Sequence, residues 1–181
     1  MFIFFTIILV AISLSMDTFS LSLSYGMLNL EKSIVKRISL TVGICHFIMP
    51  LLGQRFGQII ENIIPFKKEL VLGIVFLIIT FELIESLKKK ENIKIIENNL
   101  DILILAISVS VDSFTTGIAL DVFKISPLII VSVFFIISSL FTYLGLTLGS
   151  KIGKLLGNKA KIIGVILLIL LSINYIIKGV K

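Results

Sequence analysis

The sequence is poor in the residues that keep soluble proteins in solution and that carry out much of enzyme chemistry. Only 15% of its 181 residues are charged, one is histidine, one is cysteine and none is tryptophan. The single cysteine, Cys45, excludes an internal disulfide and a cysteine cluster for a soft metal ion, and we interpret it as a small apolar residue inside a helix. The sequence contains no nucleophile paired with a base and no glycine-rich phosphate loop, so we predict that it is not an enzyme.

What the sequence has instead is a large surplus of apolar residues. Hydrophobic residues make up 57% of the chain and the mean hydropathy is +1.14, whereas a soluble domain is about 45–50% apolar. We therefore predict an all-α integral membrane protein, because a backbone exposed to lipid must satisfy its own hydrogen bonds. The net charge of +6 comes from Lys and Arg clustered between apolar runs, a pattern that indicates membrane orientation rather than nucleic-acid binding.

Six apolar runs are candidates for transmembrane helices, which need about 20 mainly apolar residues each. They cover roughly residues 2–26, 38–60, 70–87, 100–123, 127–149 and 161–178. The first run lacks the positively charged start and the cleavage site of a signal peptide, so we expect it to be retained as a helix.

The distribution of positive charge predicts how these helices are oriented. Of the 17 Lys and Arg residues, eleven lie in the connections after helices 1, 3 and 5, and the other six lie on the opposite side. The positive-inside rule places the richer side in the cytoplasm. We therefore predict a multi-pass membrane protein with both termini outside the cytoplasm.

A short polar motif occurs twice inside the apolar runs. Residues 13–20 read Ser-Leu-Ser-Met-Asp-Thr-Phe-Ser, and residues 108–115 read Ser-Val-Ser-Val-Asp-Ser-Phe-Thr, 95 positions later. The copies lie in the first and the fourth predicted helix, so each repeat unit has three helices, an odd number, and the second half must enter the membrane from the opposite side. We therefore predict two inverted three-helix repeats, residues 1–87 and 100–181, joined by a cytoplasmic linker at 88–99.

Each copy of the motif places one carboxylate where a transmembrane helix has its middle. A charge at that depth costs at least about 2.5–3.5 kcal/mol, so we predict that Asp17 and Asp112 face the bundle interior and share one site. The alternative is a protonated aspartate that bonds to a neighbouring helix and holds the bundle together. Four hydroxyls at helical spacing from the aspartates are predicted to complete the site or to orient the carboxylates: Ser13, Ser20, Ser108 and Thr115.

The ligand chemistry of this site favours a hard divalent cation. Carboxylates, hydroxyls and carbonyls suit Mg²⁺, Ca²⁺ and Mn²⁺. Two aspartates would neutralise one such ion and would repel each other after it leaves, which favours the binding of a proton by one of them. We hypothesise that the protein exchanges a metal ion for protons, since no nucleotide site is present to drive transport.

Helix 2 contributes His46 and Pro50 at one depth. Because Pro50 has no N–H, the carbonyl of residue 46 loses its partner in the helix. One interpretation is that His46 is a metal ligand or proton carrier, and the other is that it is a neutral histidine in a kinked packing helix. The glycine pairs at four-residue spacing, such as Gly53 and Gly57, predict close packing of helices.

Polar residues near the ends of helices 3 and 6 are further candidates. Glu82 and Glu85 lie about one turn apart, and each either takes part in the site or is solvated at the cytoplasmic end of helix 3. Asn174 occupies roughly the corresponding position in helix 6 and could supply a carbonyl ligand.

These motifs resemble those of the manganese efflux pump (MntP) family, small six-helix bacterial membrane proteins with an Asp motif in helices 1 and 4. The specific part is the pair 16–19 and 111–114, Met-Asp-Thr-Phe and Val-Asp-Ser-Phe, and residues 50–53 and 83–85 fit the pattern as well. The resemblance covers essentially the whole chain and implies Mn²⁺ export through a site at Asp17, Asp112, Glu85 and Asn174. The sequence departs from the pattern at His46, where the family often has Glu or Gln. A related branch consists of YtaF-type sporulation membrane proteins.

Together these features predict a secondary transporter that exports a divalent cation by alternating access, with Mn²⁺ favoured, proton coupling and no tightly bound cofactor. Hard oxygen ligands do not separate Mn²⁺ from Fe²⁺ or Cd²⁺. The expected partners are the metal ion and the lipid bilayer, and self-association is left open. The alternatives are an exporter of a small organic cation or amino acid, which would need a roomier apolar cavity, and a sporulation scaffold that transports nothing.

Overall fold

The fold consists of helices joined by short connections. The computed structural model describes residues 2–63, 67–88, 96, 98–118, 120–123 and 125–180. Its elements are α1 (Phe2–Gly26), α2 (Lys32–Ile63), α3 (Lys68–Lys88), α4 (Asn99–Ser108), α5 (Val111–Gly117), a 3₁₀ turn (Leu120–Phe123) and α6 (Pro127–Val180). The described residues contain no strand, which confirms the predicted all-helical class. Most of the predicted linker, residues 89–95 and 97, lies outside the described residues.

Several of these helices are long and apolar enough to cross a membrane. Three described segments qualify by length and hydropathy, namely Ile3–Gly26, Lys32–Asn62 and Pro127–Gly149. Helices α4 and α5 make a fourth if the bent pair is one span, and Val165–Val180 is a shorter apolar segment. The chain is therefore a multi-span membrane protein, whereas the six-span inverted repeat stays a prediction.

The predicted fourth helix, residues 100–123, is broken rather than continuous. Helices α4 and α5 meet at a bend of 44°. At the bend, the Ser110 hydroxyl donates to the Ala106 carbonyl at 2.7 Å, and the Ser110 N–H donates to the Ile107 carbonyl, only three residues back, at 3.0 Å. A serine that bonds back to its own helix bends it, and a three-residue step tightens the last turn. The first copy of the motif lies in α1 without such a break.

Helix α6 spans both predicted helices five and six and is not straight. Phe123 precedes α6 and Tyr175 lies near its end, yet their ring centroids are 6.1 Å apart. A straight helix from residue 127 to residue 175 would be about 72 Å long. The chain therefore reverses direction within α6, and its two apolar parts, Pro127–Gly149 and Val165–Val180, run antiparallel.

The helices of the first half of the chain pack mainly against those of the second half. Helix α1 runs parallel to the first part of α6: the hydroxyls of Ser15 and Ser138 are 2.9 Å apart, and Gly26, further along α1, lies against Leu146, further along α6. Helix α3 lies on the last part of α6, where the Ser172 hydroxyl donates to the Gly73 carbonyl at 2.8 Å. Helix α2 contacts α4, α5 and α6. The two halves are thus interleaved.

Two apolar clusters fill the interior. The larger one joins α1, α3 and both parts of α6 around the fully buried Phe76 and Phe134. The smaller one joins the end of α1 to α2 and α4 around Ile38 and Ala106. The site described below lies between the two clusters.

Glycines allow the closest approach of α2 to α5, as their spacing predicted. A Cβ on Gly53 would collide with the carbonyl oxygen of Phe114 and would lie 2.9 Å from its carbon. A Cβ on Gly57 would collide with the Ile118 carbonyl in the same way. Small residues are used here so that the backbones can touch.

We therefore expect Gly53→Ala to destabilise the fold by about 1–3 kcal/mol, the usual cost of overpacking. Alanine by itself stabilises a helix relative to glycine by about 0.5–1 kcal/mol. A net loss of stability in Gly53→Ala would therefore come from the contact with α5. Thermal unfolding of the purified protein in detergent measures the effect. The control is Leu52→Ala at the exposed neighbouring position, which should change stability little, and a Gly53→Ala protein as stable as the wild type would contradict the packing.

Candidate metal-binding site

A small cavity brings together three carboxylates from three different helices. Its volume is about 110 Å³. Its lining consists of Asp17 from α1, Ile79 and Glu82 from α3, and Ser108, Val109, Val111 and Asp112 from the break between α4 and α5. The two copies of the polar motif therefore face one cavity.

The two aspartates lie in different parts of their helices, one within a continuous helix and one directly after a helix break. Asp17 is half-buried in the middle of the continuous helix α1, one turn after the buried Leu14. Asp112 is half-buried in the first turn of α5, directly after the break, and its Oδ1 accepts the Ser113 N–H at 2.6 Å. This bond fixes the orientation of the Asp112 carboxylate at the edge of the cavity.

The third carboxylate belongs to Glu82, one turn before Glu85. Glu82 is exposed and lines the cavity, so the cavity reaches the surface of the bundle. Glu85 is exposed and is not among the lining residues, and neither is the half-buried Asn174 on α6. The role of each of these three residues stays a prediction.

Of the four hydroxyl residues singled out in the motifs, Ser108 alone lines the cavity. Three of the hydroxyls bond back to their own helix: Ser13 to the Leu9 carbonyl at 2.8 Å, Ser108 to Ile104 at 2.7 Å and Thr115 to Val111 at 3.2 Å. Ser20 is buried on α1. Each donated proton leaves the hydroxyl oxygen with lone pairs, so the Ser108 oxygen is still able to bind a cation.

His46 is fully buried on α2 and supports the helix break rather than lining the cavity. Its Nδ1 lies 2.9 Å from the Ser110 hydroxyl and 3.0 Å from the Val42 carbonyl. Because the Ser110 proton is donated to Ala106, Nδ1 carries the proton that these two oxygens accept, and Nε2 keeps a lone pair. No hydrogen-bond partner reaches Nε2 within the described part of the chain.

Ser110 was not among the residues that the sequence singled out for the site. The signal that could have found it is its position in the second motif, two residues before Asp112. Its bond to His46 joins α2 to the segment that carries Asp112.

The three carboxylates line one cavity without closing on a common point. Among the residues that the structure describes, no three His, Cys, Asp or Glu side chains form a ready-made ligand group. A cation bound there would draw the carboxylates inward or keep part of its water shell, as hard divalent cations commonly do.

Comparison with known proteins places the chain in a family. The model of the family described as "Putative manganese efflux pump" (Mntp) matches residues 29–176, which include Glu82 and Asp112. The chain belongs to this family. The expected resemblance is therefore confirmed.

Relatives in the MntP family match along most of their length. A protein of Oceanobacillus iheyensis named "Putative manganese efflux pump MntP" is 35% identical over 88% of this chain and 88% of its own. Proteins of the same name from Bacillus mycoides and Bacillus licheniformis are 32% and 30% identical, over 90% and 88% of this chain and 90% and 86% of their own. No solved structure matches the chain.

The bond between His46 and Ser110 predicts an energetic coupling between α2 and the helix break. Ser110→Ala should lower the free energy of unfolding by about 0.5–1.5 kcal/mol, the usual worth of a hydrogen bond. His46→Phe removes the same bond, so the two losses should add to more than the loss in the double variant. Chemical unfolding in detergent measures all three. The control is Ser132→Ala, which removes a hydroxyl bonded within its own helix, and strict additivity of Ser110→Ala and His46→Phe would contradict the bond.

Proposed function

We propose that this protein exports a divalent cation across the bacterial cell membrane, with Mn²⁺ as the favoured ion, and that the cation binds between Asp17, Glu82 and Asp112. The observation that carries the proposal is the single cavity that these carboxylates line. The names of the relatives, "Putative manganese efflux pump MntP", support Mn²⁺ as the ion.

The chemistry of the cavity is that of a hard cation site. Oxygen ligands from carboxylates and the Ser108 hydroxyl suit Mn²⁺ and would not select a soft ion such as Cu⁺. Three negative charges in one small cavity repel one another, and a divalent cation offsets that repulsion. When the cation leaves, a proton on one carboxylate takes over part of this role. Release of metal and uptake of protons are thereby linked, which gives a proton gradient a way to drive export.

The size of the cavity favours an ion over an organic substrate. Pockets for small organic molecules usually measure about 300–1,000 Å³ and are mostly apolar, whereas this one measures about 110 Å³ and carries three carboxylates. An exporter of an amino acid or organic cation would need a wider cavity. A scaffold without transport has no need for acidic side chains from three helices at one place.

The proposed architecture has six membrane spans, which are α1, α2, α3, the α4–α5 pair and the two apolar parts of α6. The reversal of the chain within α6 supports two spans there. Helix α1 would be the first span and the first part of α6 the fifth. Odd-numbered spans cross the membrane in the same direction, which fits the parallel course of these two helices. With the lysine-rich connections in the cytoplasm, both termini lie outside, and the ion moves by alternating access.

Removal of the aspartate charges tests the function directly. In bacteria that lack their own manganese exporters, the wild-type protein should restore growth in high Mn²⁺ and lower cellular Mn²⁺. Asp17→Asn and Asp112→Asn should each abolish this effect at equal membrane expression, because one fewer negative charge remains to bind the ion. If wild-type expression leaves Mn²⁺ tolerance unchanged, or if the double variant still protects, the proposal fails.

Glu82 and Glu85 provide a matched pair of variants one turn apart on α3. Glu82→Gln should weaken Mn²⁺ binding to the purified protein by about tenfold or more, since loss of one charge–ligand interaction is worth about 1.4 kcal/mol or more. Glu85→Gln should change the affinity less than threefold, because its side chain does not line the cavity. Titration calorimetry in detergent measures both affinities, and the opposite ranking would assign the third ligand to Glu85.

A further inference from the structure

A second and larger cavity lies at the turn between α1 and α2, and the export mechanism does not use it. Its volume is about 440 Å³, within the range of about 300–1,000 Å³ typical of ligand pockets. Its polar lining comes from two elements: Asn29, Lys32 and Lys36 at the turn and the start of α2, and Tyr143 and Thr147 on α6.

The charge of this cavity is the opposite of that of the metal site. Lys32 and Lys36 lie one turn apart on the first turns of α2, and no carboxylate is among the lining residues. The nearby Glu31 carboxylate accepts the Ser33 hydroxyl at 3.3 Å, and Arg37 donates to the Asn99 side chain at 3.2 Å. Two ammonium groups beside the positive end of a long helix attract an anion.

Hydrogen-bond donors surround these charges. The Tyr143 hydroxyl and the Asn29 amide can each donate a hydrogen bond, and each lysine carries three donors. The Thr147 hydroxyl already donates to the Tyr143 carbonyl at 2.8 Å and the Leu144 carbonyl at 3.1 Å. An anion with several acceptor oxygens, such as a phosphate group, matches this set of donors.

The position of the cavity points to the membrane surface. Lys32 begins one candidate span, Lys32–Asn62, and Thr147 lies near the end of another, Pro127–Gly149. The remainder of the lining is largely apolar, with Leu30, Val35 and Leu146. A ligand at this boundary meets water on one side and hydrocarbon on the other.

We propose that this cavity binds the headgroup of an anionic phospholipid, with the phosphate between Lys32 and Lys36 and the glycerol end against the apolar lining. Basic pockets between helices on the cytoplasmic side are sites for such headgroups, and the cytoplasmic leaflet is rich in anionic lipid. This inference rests on the orientation in the proposed function but not on its metal site. The exposed Met27 and Leu28 beside the turn offer an apolar surface for acyl chains, which favours a lipid over a free phosphate ion.

The bound lipid would join the two halves of the chain. The turn belongs to the first half and Tyr143 to the second, and they meet where a Cβ on Gly26 would lie 2.9 Å from the carbonyl carbon of Leu146. A lipid that bridges the two sides should stabilise this contact and raise the thermal stability of the folded protein.

The test uses the purified full-length chain in detergent without added metal ion. Phosphatidylglycerol should raise the melting temperature more than phosphatidylcholine does. In the double variant Lys32→Gln with Lys36→Gln, the apparent affinity for phosphatidylglycerol should fall by about tenfold or more, since each lysine near anionic lipid is worth about 1 kcal/mol. Lys151→Gln, an exposed lysine on the same predicted side, is the matched control and should leave the affinity unchanged.

Two further measurements, on a Tyr143→Phe variant and with inorganic phosphate, separate lipid binding from misfolding and from binding of a soluble anion. Tyr143→Phe removes one donor and should weaken phosphatidylglycerol binding even if the double lysine variant does not fold. Inorganic phosphate at millimolar concentration should not reproduce the stabilisation, and if it does so fully, the site binds a soluble anion and the lipid proposal is overturned. Equal stabilisation by phosphatidylglycerol and phosphatidylcholine also overturns the proposal. So does a result in which Lys151→Gln weakens phosphatidylglycerol binding as much as the double lysine variant does. Failure of Mn²⁺ export in cells would leave these binding results untouched.

Discussion

Repulsion between the carboxylates that line one cavity is the constraint on which the rest of this structure depends. Two unit charges about 4 Å apart interact with about 1 kcal/mol in water and with several times that near a protein interior. Asp17, Glu82 and Asp112 line one cavity, so their negative charges repel one another across it. The same repulsion makes the cavity attractive to a cation, because a positive charge placed between the carboxylates offsets it.

Helix α2 holds that arrangement in place. Gly53 and Gly57 let its backbone touch α5, and His46 bonds to Ser110 at the break. The break in turn decides where Asp112 points. The position of Asp112 at the cavity therefore depends on packing contacts on the far side of the segment that carries it.

The sequence predicts the parts of this fold that follow from local pattern. Apolar runs predict the helices, and the repeated motif picks out Asp17 and Asp112, which the structure places at one cavity. The break at Ser110 could not be predicted in this way, because serine bonds to its own helix leave no trace in hydrophobic periodicity. The choice between Glu82 and Glu85 depends on how α3 is set against α6, where Gly73 meets Ser172. That register is a property of tertiary packing, which a single sequence does not reveal.

The interleaving of the two halves has a consequence for how the protein is made and how it moves. Among the described residues, the extensive helix contacts all join the first half to the second. A half made alone would leave the packing faces of α1 and α3 uncovered, so each half depends on the other for most of its helix packing. We infer that the two halves fold together, and that the tightly packed pairs in the bundle are mixed pairs, such as α1 with the first part of α6, rather than the two stretches that the sequence repeats.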